Sequence, residues 1–231
     1  MRCSLFGKLA AKRDFIAVSA PREFLGAWEP WMQACVSASR DNLGDKWHEA
    51  YLTAPIWRFW LGEEICGSTV AGVVMSSLDG LGRYYPLTLF VYSDQGTTIA
   101  PPDLNAHEEW FSVAEDFLLS TLDREVPFET ITESLSNLAP PVHHSTAVSE
   151  DPNLTNLISG SGMLGGVLEG RSFLELFASL RDANFNSIYA AASFWWTIGG
   201  GEFAPFGFSC KRMPDPFIFT AMLTGRFTDA G

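Results

Sequence analysis

Four stretches of this 231-residue chain carry residue types from which chemistry can be built. In Ser76-Ser77-Leu78-Asp79-Gly80-Leu81-Gly82-Arg83, the Asp79 carboxylate stands beside two glycines and could offer oxygen to a divalent ion for phosphate-ester hydrolysis. Hard cations demand several carboxylate oxygens, and the segments flanking Asp79 are apolar. A hairpin turn, with glycines where φ is positive, accounts for the same residues without a metal. Ile158 to Gly166, ISGSGMLGG, has the glycine content of a phosphate-cradling loop, but Met163 and Leu164 stand where Lys and Ser or Thr would be required. Ser161 lacks the surroundings of a nucleophile elbow. His143 and His144 are adjacent and cannot share a helix face; only Glu150 and Asp151 lie near them as further ligands. Finally, Ser193 to Gly201, SFWWTIGGG, sets two tryptophans before three glycines. It reads either as an aromatic surface with an oxyanion loop or as a buried strand ending in a turn. An oxyanion loop needs a nucleophile, and no residue of the chain is placed to supply one.

The elements that must position these residues follow from hydrophobic periodicity. CSLFGKL near the start reads as a strand. Phe24, Trp28, Trp31, Cys35 and Ala38 recur at helical spacing, with Pro21 at the helix start and Pro30 either kinking it or restarting it. IWRFWL, TVAGVVMSS and PLTLFVY are short and rich in β-branched and aromatic residues, as strands are. Trp110, Val113, Ala114, Phe117, Leu118, Thr121 and Leu122 form one helix stripe, with Asn105 and Glu108 as its capping box. A weaker helix is expected around 128–138. Ser172 and Glu175 open another. SIYAAASFWW reads as a strand with FAPFGFSC as its hairpin partner, and Asp215-Pro216 caps a last helix. Residues 140–170, rich in Pro, Ser, Gly and Asn, read as a flexible insertion in a single domain spanning 1–231. Strands joined by returning hairpins predict an α+β fold, an α/β/α sandwich with a mainly antiparallel sheet and helices on both faces. Along SFWWT, alternation sends Phe194 and Trp196 to one face and Trp195 to the other, beside Ser193 and Thr197.

Hydrophobic residues make up 47% and aromatics 13% of the chain, ample for a core without disulfides. Cys3, Cys35, Cys66 and Cys210 form no CxxC pair, which argues against zinc and suits a reducing compartment. The net charge of −12, with no Lys/Arg run, opposes nucleic-acid binding. No export signal and no run of 18 apolar residues is apparent, so a cytoplasmic protein without an integral membrane segment is expected. No cofactor and no metal are expected.

Five separated motifs together resemble one family. FGKLAAKRDF is similar to the opening of the TagF (also ImpM) proteins of bacterial type VI secretion. WEPWMQACVSASRDNLGDKWHEAYLTAPIWRFWL, AGVVMSSLDGLGRYYPLTL, SFWWTIGG and MPDPFIFTAML follow in the family's order over nearly the whole chain. Arg13 and Ser76 depart from the usual Gly and Pro. The resemblance implies a longin- or profilin-like fold. It implies a cytoplasmic, non-enzymatic repressor that acts after translation by binding a forkhead-associated (FHA) scaffold or another assembly component. The alternative is a hydrolase or phosphatase using the Asp79 turn or the Gly160–Gly166 loop. Arg13, Asp14, Arg58, Asp79 and Arg83 match charged family positions; they either contact a partner or pin the sheet edge, with Arg58 and Arg83 paired to Asp14 or Asp79. Trp195, beside Trp196, is the expected hydrophobic anchor for a partner.

Overall fold

The β-branched and aromatic runs form strands where alternation predicts them. In chain order the elements of the computed structural model are β1 (Cys3–Gly7), β2 (Ile16–Val18), α1 (Arg22–Leu43), α2 (Trp47–Thr53), β3 (Trp57–Leu61), α3 (Glu63–Cys66), β4 (Val70–Met75), β5 (Leu87–Tyr92), β6 (Thr97–Thr98), α4 (Glu108–Ser120), α5 (Phe128–Asn137), β7 (His144–Ser145), β8 (Leu154–Ile158), β9 (Met163–Gly166), α6 (Phe173–Ala183), α7 (Phe185–Tyr189), β10 (Ala192–Thr197), β11 (Phe206–Lys211) and α8 (Ile218–Thr224). The structure describes residues 1–94, 96–141, 144–145, 154–158, 163–168 and 170–227. Seven strands form one antiparallel sheet in the order β11-β10-β3-β4-β5-β1-β2, so the expected α+β class is the observed one.

Period-two alternation divides the central strands between two apolar layers. Trp57 and Phe59 of β3, Phe90 of β5 and Trp195 of β10 pack under α1, α2 and α8. Trp60 of β3 and Leu87, Leu89 and Val91 of β5 pack on the other face with Phe111, Leu118, Ile131 and Tyr189 from α4, α5 and α7. With helices covering both faces, β3 and β4 are buried at every position. The α1 layer is an aromatic ladder: Phe24 stacks on Phe90 at 3.8 Å, Trp28 lies 4.5 Å from Phe59, and Trp31 lies 5.0 Å from Trp195. Among the buried indoles, Trp31 donates to the Pro214 carbonyl, Trp57 to Met222 and Trp60 to Ile99, whereas the Trp28 N–H has no acceptor among the described residues.

Several local expectations are corrected. α1 runs through Pro30 without restarting; Pro30 is exposed, so the carbonyl it leaves unpaired is open to water. Asn105 and Glu108 form no capping box. The N-cap of α4 is His107 in a left-handed conformation, and the Asn105 side chain accepts from the His107 N–H. On α4 the buried side runs through Phe111, Ala114, Glu115 and Leu118, leaving Val113 and Leu122 about half exposed. Ser187 to Tyr189 belong to α7 and not to the strand that follows. The Ser172–Glu175 capping box is present. Within 140–170, β8 and β9 pair as a hairpin, and much of the remainder lies outside the described residues.

Candidate functional site

The connection between β4 and β5 folds as a braced turn. Leu78 and Tyr84 form a bridge, and the Asp79 N–H donates to the Arg83 carbonyl at 3.0 Å. The Asp79 side chain closes the turn from within. Its Oδ1 accepts the N–H groups of Leu81 at 2.9 Å and Arg83 at 3.0 Å; its Oδ2 accepts Arg83 Nε at 2.7 Å and pairs with Lys8 Nζ at 3.1 Å. The Arg83 guanidinium extends to the Arg13 carbonyl and to Asp14 at 3.5 Å. The Gly80 N–H donates to the Lys12 carbonyl at 2.7 Å, and the Ser77 hydroxyl to the Lys8 carbonyl at 2.8 Å. Two loops distant in sequence are thereby sewn into one surface at this end of the sheet. Gly7 allows the close approach at the end of β1: its φ is +131°, and a Cβ there would lie 2.1 Å from the Pro86 carbonyl oxygen.

Asp79 is fully buried. Burial alone would raise its carboxyl, but the hydrogen bonds from Arg83, Lys8 and Leu81 outweigh it and hold the group well below the usual 3.8. A depressed folded-state value stabilises the fold above pH 3.8, and the contribution fades as acid protonates the group. Urea titrations should therefore show stability falling as pH drops below about 5, and Asp79→Asn should flatten that acid limb. An equally steep limb in Asp79→Asn would assign the effect to other carboxylates.

Arg58 of β3 is 1% exposed and faces α4. Its Nε and Nη2 meet Glu115 at 2.6 and 3.0 Å, its Nη1 meets both oxygens of Glu108 at 2.8 Å, and its guanidinium lies 5.4 Å from the Phe111 ring. Burial opposes the charge on Arg58, but these carboxylates outweigh it and push its pKa upward. Arg58 therefore pairs with neither Asp14 nor Asp79; only Arg83 does. Cutting one partner from a buried pair costs about 3 kcal/mol or more, whereas replacing the pair with apolar residues is often neutral. Glu115→Ala should accordingly destabilise more than Arg58→Met with Glu115→Leu, as chemical denaturation would reveal.

The tryptophan pair resolves as a strand end. Trp195 is 1% exposed and stacks on Trp28, Phe59 and Phe208, with its indole N–H donating to the Ser193 hydroxyl at 3.0 Å. This corrects its expected role: a side chain enclosed on all sides is not a partner anchor. Trp196, on the opposite face, is half-buried and meets Phe111 edge-on at 4.8 Å. The glycines turn the chain. Gly199 has φ +77°, and a Cβ there would lie 2.3 Å from the Phe203 carbonyl oxygen.

The hydrolytic readings gain nothing from the geometry. Both oxygens of Asp79 are taken by cations and N–H donors. Among the described residues no three His, Cys, Asp or Glu side chains are grouped to hold a metal. Residues 159–162 and His143 lie outside the described residues, while 163–166 form β9 and His144 belongs to β7. No helix among the described residues is long and apolar enough to cross a membrane.

Sequence reasoning missed Lys8, Glu108 and Glu115. Lys8 reads as a solvated residue at a strand end. The two glutamates, seven apart on the helix that carries the apolar stripe, share a face and point at a buried cation. Also missed was a groove of about 270 Å³ beside the turn, lined in part by Ala10, Leu52, Ile56, Leu78, Leu119 and Leu122.

Both charged clusters fall within residues 4–138, the segment matched by the family model of the TagF N-terminal domain, type VI secretion system-associated. The crystal structure of PA0076 from Pseudomonas aeruginosa PAO1 is similar over 97% of this chain and 94% of that one, with 29% sequence identity and a TM-score of 0.77. None of the curated proteins matches the chain in sequence. With more than half of its length matched by that family model, the chain belongs to the TagF family of type VI secretion system-associated proteins.

Proposed function

We propose that the chain restrains type VI secretion after translation, as a single cytoplasmic, non-enzymatic domain that binds the FHA scaffold or another assembly component. Membership of a type VI-associated family supports the process. The observation that carries the binding reading is the turn pinned by Asp79. It is rigidified by four donors and holds Arg13, Asp14, Leu81 and Arg83 exposed on one surface. A preformed, exposed mixture of charge and apolar area loses little entropy on binding. The buried carboxylate works as scaffolding for that surface rather than as a reactant.

Overproducing the chain in a type VI-competent cell should lower secretion of type VI substrates while their transcripts stay constant. Unchanged secretion, at confirmed levels of folded protein, would contradict repression.

A further inference from the structure

The seven-stranded sheet is open at β11, which pairs with β10 in an unbroken register from Phe206 to Lys211 and has no strand on its other side among the described residues. Outside that ladder the backbone groups of 206–211 make no backbone hydrogen bond among the described residues. Such a row of unpaired donors and acceptors is a template for another strand, and proteins usually blunt it with a bulge, a proline, a charge or a very short strand. β2, at the opposite edge, is three residues long. β11 is six residues long, has no bulge or proline, and carries no charge before Lys211 at its end. Its flanks are oppositely charged. Glu202 precedes the strand, Lys211 and Arg212 close it, and no acidic residue lies between Phe203 and Arg212. All three charged residues are exposed, and none has an ion pair among the described residues.

We infer that β11 pairs with β11 of a second copy of this chain, antiparallel across a two-fold axis, so that two seven-stranded sheets become one continuous sheet. An edge of backbone groups is satisfied by another extended strand, and the two-fold sets each outward N–H of one copy opposite an outward C=O of the other. Charge selects a second copy over a foreign strand. Antiparallel pairing lays the Glu202 end of each copy beside the Lys211–Arg212 end of the other, and does so twice. A foreign segment would need the same order of acid, uncharged centre and base, which β11 and its flanks already have. Like charges stay apart. In a register centred on Phe208 the two Lys211 residues lie about 20 Å from each other along the strands, beyond the ~8 Å screening length at physiological salt. The net charge of −12, which repels copies in general, is therefore not concentrated at this edge. The same register sets Phe208 against its counterpart on one face and Gly207 against Ser209 on the other, an aromatic pair and a pair of small residues. A six-residue edge belongs to the small end of specific interfaces, so the dimer dissociates on dilution. β11 is the edge farthest in strand order from β1 and β2, so the pairing leaves the Asp79 turn open and presents it in two copies.

Sedimentation velocity on the full chain tests this. The weight-average mass should climb from 25.4 kDa toward twice that value as concentration rises. Ser209→Lys, which sets two like charges beside the two-fold axis, should raise the dimer dissociation constant about tenfold. Ser209 is exposed, so the melting midpoint of that variant should stay in place. Glu202→Lys and Lys211→Glu should each weaken the dimer, and the two reversals combined in one chain should strengthen it again relative to either alone. A chain that stays monomeric throughout, whether or not its edge accepts a foreign peptide, overturns the inference. So does a dimer indifferent to all of these substitutions, because its contact then lies elsewhere. A double reversal no stronger than either single change would also overturn it, since the opposite charges would then not meet across the axis.

Discussion

Replacing Trp195 with alanine is expected to remove about 3–5 kcal/mol of stability and to lower the melting midpoint by roughly 6–20 °C. The indole sits where β10 meets α1, 5.0 Å from Trp31 and 5.4 Å from Phe59, with Phe208 of the edge strand beside it. Truncation would leave a cavity between two rigid elements that cannot collapse easily, because Trp28 and Trp31 are themselves wedged against the sheet. It would also remove the indole N–H that the Ser193 hydroxyl accepts, while that hydroxyl goes on donating to the Arg212 carbonyl at 2.7 Å. Folded domains commonly hold about 5–15 kcal/mol in total, so the variant should be marginal at physiological temperature. Trp196→Ala, at a half-buried position, should cost less. Calorimetry on the two variants checks the ordering, and a Trp195→Ala protein that melts like wild type would remove Trp195 from the core.

The second large effect is expected at Asp79. Asp79→Ala deletes the acceptor of two backbone N–H groups and the counter-charge of Lys8 and Arg83 in one step. Arg83 is exposed and can turn to water, but Lys8 is nearly buried and cannot. A loss of about 3–5 kcal/mol follows, the cost of an uncompensated buried charge. Adding Lys8→Met to Asp79→Ala should recover part of it, because the stranded ammonium is then gone. Urea unfolding of the single and double variants reads this coupling directly. If the double variant is no more stable than the single one, Lys8 does not depend on Asp79.

What was legible in the sequence, and what was not, follows from the range of each interaction. The Asp79 turn is local: glycines and a carboxylate within five residues specify it, and the bond from Asp79 to Arg83 spans only four positions. Its second half is not local, since Lys8 reaches the same carboxylate from another strand. Arg58 was visible as a charge on an apolar strand, yet its partners lie 50 and 57 residues away, beyond any pattern of neighbouring residues. Alternation placed Trp195 and Trp196 on opposite faces correctly. It could not rank their depth, because helices cover both faces of this sheet and depth depends on which helix carries the larger side chains. The short α7 escaped because SIYAAA is equally compatible with a helical turn and a strand start. The groove escaped because Leu52, Leu119 and Leu122 belong to segments that meet only after the sheet has formed.

The measurement that tests the central claim most directly is calorimetric titration of the purified chain with the purified FHA scaffold, comparing wild type with Arg13→Glu. The Arg13 side chain is exposed and only its backbone carbonyl serves the turn, so reversing its charge alters the proposed face without loosening the fold. Saturable binding by wild type, weakened about tenfold in a variant with an unchanged melting midpoint, is the expected result. Binding that Arg13→Glu leaves untouched, or no binding by folded wild type, would contradict the account.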